Sequence, residues 1–373
     1  MVVLSRADTS LLGRWWWTVD RWTIAAVGAL VGLGMLMTLA ASPAVAERIG
    51  LDPYSFVRKQ LVYLPLSLAI VLIVSMLPVR QVRRLALLGF LVAVGFTALT
   101  LVAGIEIKGA RRWIALPGMS LQPSEFVKPC FAVLTGWLLA EARRSPGFPG
   151  RLIAVACLLL VLLLLKMQPD IGMALVVLLV FFAQAFVAGL PIALVGLGIG
   201  GIAASAVSAY LLFPHVQSRV HRFLDPEAGD NYQIARAMEA FGQGGLFGRG
   251  PGEGRVKASL PDAHADFVFA VAGEEFGLFL CLIILGLFGF IVLRGFLRAI
   301  EDSDGFAMLA AAGLVTQFGI QAFVNMASSV HLVPTKGMTL PFLSYGGSSV
   351  FAVALGIGML LALTRRRNHG DAP

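Results

Sequence analysis

The stretch LPDAHADFVFAVAGEEFG, residues 260–277, sets Asp262, His264 and Asp266 just before a long apolar run, and Glu274 and Glu275 inside it. A carboxylate in or beside a membrane span is costly and either pairs or works. Asp266 stands where partial desolvation would keep a carboxylate basic enough to take a proton, which is general-base chemistry. The same position suits a cap for a helix starting at Phe267, and spacing does not choose between them. Asp262, His264 and Asp266 could also touch a divalent metal, a weak signal at alternating spacing.

Cations gather around these acids. Lys108, Arg111, Arg112, Arg219, Arg222, Lys257 and Lys336 could meet an anion, and phosphate is the natural one. Lys336 stands in a Pro-bounded loop, where a lone lysine is usually only solvated. In SYGGSS, residues 344–349, Ser344, Gly346 and Gly347 could offer N–H groups to an anion at a helix N-terminus, or could let helices pack closely. The motifs KGARRW, QPSEF (with Glu125), QPD (with Asp170), the 214–266 loop and VPTKGMTLPFLSYGGSS fall on one side of the expected membrane. No GxSxG elbow, HExxH, Walker or Rossmann pattern occurs.

These residues need a scaffold, and the apolar runs supply it. The chain has 373 residues, is 58% hydrophobic and only 13% charged, against about 25% charged in a soluble domain. We expect an all-α integral membrane protein, a polytopic bundle of about ten transmembrane helices forming a single domain. The spans fall near 23–41, 57–77, 84–104, 124–142, 152–166, 171–189, 191–213, 267–293, 305–330 and 345–364. Arginines at 80, 83, 84, 143, 144, 151, 294, 298 and 365–367 orient the bundle with both termini in the cytoplasm. That leaves a large periplasmic loop, residues 214–266, between helices 7 and 8, with a helix-like stretch near 230–240 and a glycine-rich tail.

Residues 105–122 lie outside yet keep three cations, for use at a site or for lipid headgroups. Trp15, Trp16, Trp17 and Trp22 precede the first span as an interfacial anchor, or as a partner-binding patch. The net charge of +8 sits mostly at span ends, so nucleic acid is not an expected partner. Cys130, Cys157 and Cys281 all lie in apolar runs, as buried small side chains do. No cleavable leader is apparent.

GARRWIALPGMSLQPSEFVK, QPDIGMA, FLDPEAGDNYQIARAMEAFGQGGLFGRGPGEG, LPDAHADFVFAVAGEEFG and PTKGMTLPFLSYGGSS together resemble the SEDS family (shape, elongation, division and sporulation) over nearly the whole chain. PTKGMTLP, the opening SLLGRWWWTVDRW and AASPAVAERIG are similar to the division member rather than the elongation member. The resemblance implies a peptidoglycan glycosyltransferase that polymerises lipid II on the periplasmic side of the inner membrane, at the division septum. It places the family's essential aspartate on Asp266 and its PTKG lysine on Lys336. Arg111, Arg112 and Lys108, with Ser344, Gly346 and Gly347, are then expected near the diphosphate. His264, Glu274, Glu275, Glu125 and Asp170 are expected to support the site.

A divalent cation (Mg or Mn) could assist at the leaving group, and no organic cofactor is expected. Implied partners are lipid II, a class B penicillin-binding protein, division regulatory proteins and membrane lipids. Two residues depart from the family pattern: Ala265 stands where Thr is common, and Met173 likewise. A lipid-linked precursor flippase or a non-catalytic division scaffold would share much of this sequence, but a flippase should carry polar motifs on both faces.

Overall fold

In hydrocarbon every backbone N–H and C=O must find its partner within the protein, so an apolar run folds as a helix. The computed structural model describes residues 10–107, 110–116, 119–212, 217, 232–334 and 337–366. Lys108, Arg219, Arg222 and Lys336 lie outside those residues. A short helix, α1 (Leu11–Thr18), precedes α2 (Arg21–Arg48), α3 (Ser55–Ser75) and α4 (Val79–Ala103). After these come α5 (Pro123–Arg144), α6 (Gly150–Met167), α7 (Ile171–Val187) and α8 (Ile192–Leu212). The long loop contributes α9 (Tyr232–Gly244) and α10 (Val256–Ser259), followed by α11 (Val268–Ile300), α12 (Gly305–Ser329) and α13 (Gly347–Leu363). A helix stands at each expected span. Among the described residues, α2, α3, α4, α6, α11 and α12 are each long and apolar enough to cross a membrane. The chain is a multi-pass all-α membrane protein.

One stretch expected as loop is not irregular. Residues β1 (Ile105–Ile107), β2 (Ala110–Leu116) and β3 (Met119–Leu121) form an antiparallel meander in the order β1-β2-β3. The residues IEI and ARRWIAL are rich in Ile and Trp, which suit a pleated surface, but the arginines conceal the pattern.

The centre of the bundle is α12, packed against α5, α7 and α11. A β-carbon on Gly136 of α5 would lie 2.7 Å from Ala310 of α12, so the two backbones nearly touch, as small residues allow. Gln184 of α7 staples this contact. Its Nε2 donates to the carbonyls of Ala132 (2.6 Å) and Leu309 (3.0 Å), and its Oε1 accepts from Thr135 (2.6 Å).

The helix that follows Asp266 is broken. Gly277 has φ 74° and ψ −171°, which interrupts the ladder inside α11. The carbonyls of Glu274 and Glu275 are freed by the break. They accept from the amides of Arg249 (3.0 Å) and Gly250 (2.9 Å) instead. The amides of Leu278 and Phe279 donate to the carbonyls of Gly245 (2.9 Å) and Leu246 (3.2 Å). The glycine-rich tail of the long loop therefore replaces two helix bonds, 278 to 274 and 279 to 275, with four of its own. Gly248 (φ 81°) makes the approach possible, since a β-carbon there would meet the Glu275 carbonyl oxygen at 2.1 Å. A β-carbon on Gly277 would meet Gly248 N and Leu246 O at 2.4 Å.

We therefore expect Gly277→Ala to lower stability by about 2 kcal/mol or more, from a disallowed backbone and a displaced loop. Its denaturation midpoint in detergent should fall well below that of Gly286→Ala in the same helix, where a β-carbon meets nothing within 4 Å.

Candidate active site

Asp266 ends a run of turns, residues 261–267, that enters α11. The cap position of α11 is Phe267, whose side chain can accept nothing, so Asp266 is not the helix cap. Its backbone is pinned instead. Three consecutive carbonyls each accept from a different neighbour: His264 from the Tyr345 amide (2.9 Å), Ala265 from the Ser344 hydroxyl, and Asp266 from the Asn325 side-chain amide (2.9 Å). Asn325 Nδ2 also donates to the Met338 carbonyl at 2.6 Å, which joins α12, the 337–346 segment and the Asp266 turn at one atom. Asp262 makes the turn with φ 52°, a left-handed conformation that Asp tolerates better than most residues. Its carbonyl accepts from the amides of Ala265 and Asp266, both at 3.0 Å.

The carboxylate of Asp266 is half-buried beside Gly337, whose β-carbon position lies 3.5 Å from its Oδ2. Gly337 and Met338 line a cavity of about 90 Å³ together with Arg112, Lys128, Glu125 and Asp170. Asp266 thus stands at the rim of a polar cavity between α5, α7, α12 and the small sheet.

Within that cavity the charges are paired. Arg112 clasps the turn before α7, donating to the carbonyls of Gln168 (2.8 Å) and Pro169 (2.6 Å) and meeting Asp170 at 3.2 Å. Asp170 in turn caps α7 through the Met173 amide at 3.1 Å, a bond from backbone that does not depend on the side chain at 173. Lys128 meets Glu125 at 2.9 Å and donates to Gln321 at 2.8 Å. Two cations therefore face two carboxylates, and any incoming anion must compete for them. Arg111 lies outside this set. It is exposed on β2, 3.4 Å from Glu106.

Several expected site residues serve other ends. Ser344 is fully buried, accepts from the Leu340 amide (2.8 Å) and donates to Ala265, so it holds the Asp266 turn rather than an anion. Gly346 is extended, with φ 171°, and Gly347 packs under the Tyr63 ring. Close packing is what the SYGGSS glycines provide. Glu274 and Glu275 do not face the cavity lining. The Glu274 carboxylate is buried and accepts from the amides of Arg255 (2.6 Å), Val256 (2.7 Å) and Lys257 (2.9 Å). Lys257, expected to meet an anion, is itself buried and ion-paired to Glu275. These groups weld the loop to the first half of α11.

His264 is buried between two rings, stacked on Phe56 at 4.6 Å and tilted against Tyr345 at 5.4 Å. Burial pushes its pKa down to about 4, with Arg48 adding to the shift and Asp262 opposing it, so the ring is neutral at pH 7. Burial also raises the Tyr345 hydroxyl above its ordinary value. Neither ring offers a charge to substrate. Among the described residues no three His, Cys, Asp or Glu side chains converge on a metal-sized point.

Three residues were reached only through the structure: Lys128, Asn325 and Gln321. Each is a polar side chain within an apolar run, the signal by which an intramembrane site is found.

A membrane-helix bundle that fixes a carboxylate at the rim of a charge-lined cavity, under a folded loop, has the architecture of an integral membrane enzyme. The family of cell cycle proteins comprising FtsW, RodA and SpoVE matches residues 21–369, and this chain belongs to it. Over 365 residues the chain is 46% identical to a probable peptidoglycan glycosyltransferase FtsW of Caulobacter vibrioides (strain NA1000 / CB15N), covering 97% of this chain and 93% of that one. It is 36% identical to the protein of the same description from Halomonas elongata, over 95% of this chain and 94% of that one. Among solved structures, a peptidoglycan synthase complex that coordinates polymerization and crosslinking matches with a TM-score of 0.78 and 30% identity, over 93% of this chain and 97% of that one. The rod shape determining protein RodA of Thermus thermophilus matches with a TM-score of 0.67 and 29% identity, over 94% of this chain and 97% of that one.

Two outcomes follow from the buried charges. Lys257→Met leaves Glu275 buried without its cation and should cost about 3–5 kcal/mol, and adding Glu275→Leu should restore most of it. Denaturation midpoints of the single and double variants measure this. Separately, the folded state resists protonating His264 whereas the unfolded chain protonates it near pH 6.5. The stability it contributes is complete above pH 6.5 and falls as pH drops toward 4, by roughly 3 kcal/mol in all. His264→Phe should flatten that part of the stability profile.

Proposed function

We propose that this protein polymerises lipid II into β-1,4-linked glycan strands during septal wall synthesis, with Asp266 as the general base. The observation that carries the reading is the placement of Asp266: a carboxylate with a rigid backbone, at the rim of a cavity lined by Arg112 and Lys128. Positive charge at the ends of the runs supports an orientation with both termini in the cytoplasm and the cavity end in the periplasm.

The reaction joins two lipid-linked sugars. Asp266 takes the proton from the 4-hydroxyl of the acceptor's GlcNAc. That oxygen attacks C1 of the donor's MurNAc from the face opposite the diphosphate. The new C1–O bond forms as the bond to the lipid diphosphate breaks, and the α-linked donor yields a β-linkage. The electron pair leaves with undecaprenyl diphosphate, and the proton stays on Asp266. Arg112, Lys128, Arg111 and Lys336, with Lys108 nearby in sequence, are the cations available to the leaving group. A divalent ion, if used, would travel with the diphosphate. General-base assistance is worth about 10²–10⁴-fold, and charge neutralisation at the leaving group can match it.

A single-span class B penicillin-binding protein is the partner that would cross-link the product, and division regulatory proteins would govern the pair. The solved synthase complex that this chain resembles supports such a coupling.

Purified Asp266→Asn supplied with lipid II should make polymer about 10²–10⁴-fold more slowly while keeping the wild-type denaturation midpoint. Polymer at close to the wild-type rate from the folded variant would remove Asp266 as the base. Lys336→Ala should slow turnover or raise KM with the midpoint unchanged.

A further inference from the structure

The opposite end of the bundle carries a second charged cavity, of about 170 Å³, beside the turn between α1 and α2 and the end of α13. Four arginines line it: Arg21, Arg294, Arg298 and Arg366. The one carboxylate among its lining residues is Asp20. Asp20 is already saturated. Arg294 holds both its oxygens, at 2.5 and 2.8 Å, and the Thr23 hydroxyl (2.8 Å) and the Trp22 amide (3.3 Å) take the remaining directions. Burial works against this carboxylate, but the bonds from Arg294 and Thr23 prevail and hold it below its ordinary value. Asp20 therefore pairs directly with Arg294, and Arg298 acts on it at longer range, so a single carboxylate faces four guanidinium groups in the lining. Glu301 acts on Arg294 at longer range, without lining the cavity.

The cavity is built rather than incidental. The Arg366 amide donates to the Thr18 carbonyl at 3.1 Å, which brings the chain's last helix to the turn between α1 and α2. Trp15 Nε1 donates to Ser75 at 2.9 Å and fixes α1 across the end of α3. Arg21 is placed by the rings of Trp16 and Trp17, 5.7 and 5.3 Å from its guanidinium carbon.

What lies beside the cavity identifies its occupant. Leu293, Leu297 and Ile300 form an exposed apolar stripe on α11, one position around the helix from Arg294 and Arg298. Trp22, also exposed, stands on the cavity wall. A guanidinium cluster with an alkyl-facing wall on one side and interfacial tryptophans on another matches a phosphate that carries acyl chains. We propose that this cavity binds the phosphate headgroup of an anionic phospholipid of the inner leaflet, with the acyl chains along the Leu293–Ile300 stripe. The site is separate from Asp266, and its failure would leave the glycosyltransferase reading untouched.

The full-length protein is tested in detergent with an equal mixture of phosphatidylglycerol and phosphatidylcholine, reading retained lipid by native mass spectrometry. The wild type should retain phosphatidylglycerol selectively. Arg298→Gln with Arg366→Gln should cut that preference by on the order of thirtyfold, since each cation near an anionic headgroup contributes about equally. Arg80→Gln, an exposed arginine outside the cavity, should leave it unchanged. A second readout needs no variant. Four of the six tryptophans lie within residues 15–22, so phosphatidylglycerol brominated on its acyl chains should quench the wild-type fluorescence more than brominated phosphatidylcholine. Equal retention by wild type and double variant, or equal quenching by the two lipids, overturns the proposal. So does displacement of the lipid by millimolar inorganic phosphate or by a polyglutamate peptide, which would make the cavity a site for a free anion or an acidic chain.

Discussion

A backbone amide or carbonyl at membrane depth has no water to turn to, and an unpaired one costs several kcal/mol. Where α11 breaks at Gly277, two carbonyls and two amides lose their helical partners, and the loop tail at 245–250 takes all four. The Glu274 carboxylate and the Lys257–Glu275 pair complete the same seam with buried charge. The break therefore converts a flexible connection into part of the bundle. The 255–267 segment, which delivers Asp266, starts from that seam.

The other half of the support comes from the far side of the turn. Tyr345, Ser344 and Asn325 hold the carbonyls of 264, 265 and 266 in that order, so the Asp266 backbone is set by donors from two elements distant in the chain. Because the donors seek carbonyls, Ala265 in place of the family's usual Thr does not disturb them. The cavity side is set by the clasp of Arg112 on the turn before α7 and by the Glu125–Lys128 pair of α5, and α5 and α7 both pack on α12. Charge is balanced within the cavity, which keeps the buried groups stable and makes any anionic ligand a competitor for cations already in place.

The helices were legible in the sequence because length and apolarity are local properties. A helix near 230–240 was legible for another local reason, the helix-forming residues of IARAMEA. The β-meander was not, since Arg111 and Arg112 interrupt the alternation of ARRWIAL. Asp266 could be singled out as an ionisable group at the edge of a span, but only the structure put Phe267, not Asp266, at the cap position of α11. Glu274 and Glu275 carried the same signal and have a different role, because their partners at 249–257 are joined to them only by folding. Lys128 was equally visible as a cation within an apolar run, yet its neighbour Glu125 in QPSEF marked the motif. The SYGGSS segment left anion binding and close packing both open, and the Tyr63 ring over Gly347 is the contact that packing expects.

The central claim is that the seam at the α11 break holds the turn bearing Asp266. Hydrogen–deuterium exchange on Glu274→Ala, compared with the wild type and paired with its lipid II polymerisation rate, tests it most directly. The account predicts that protection at the amides of 249–257 collapses and that polymer synthesis falls with it, while α12 and α13 stay protected. Undiminished protection at those amides, or full synthesis with the seam open, would contradict it.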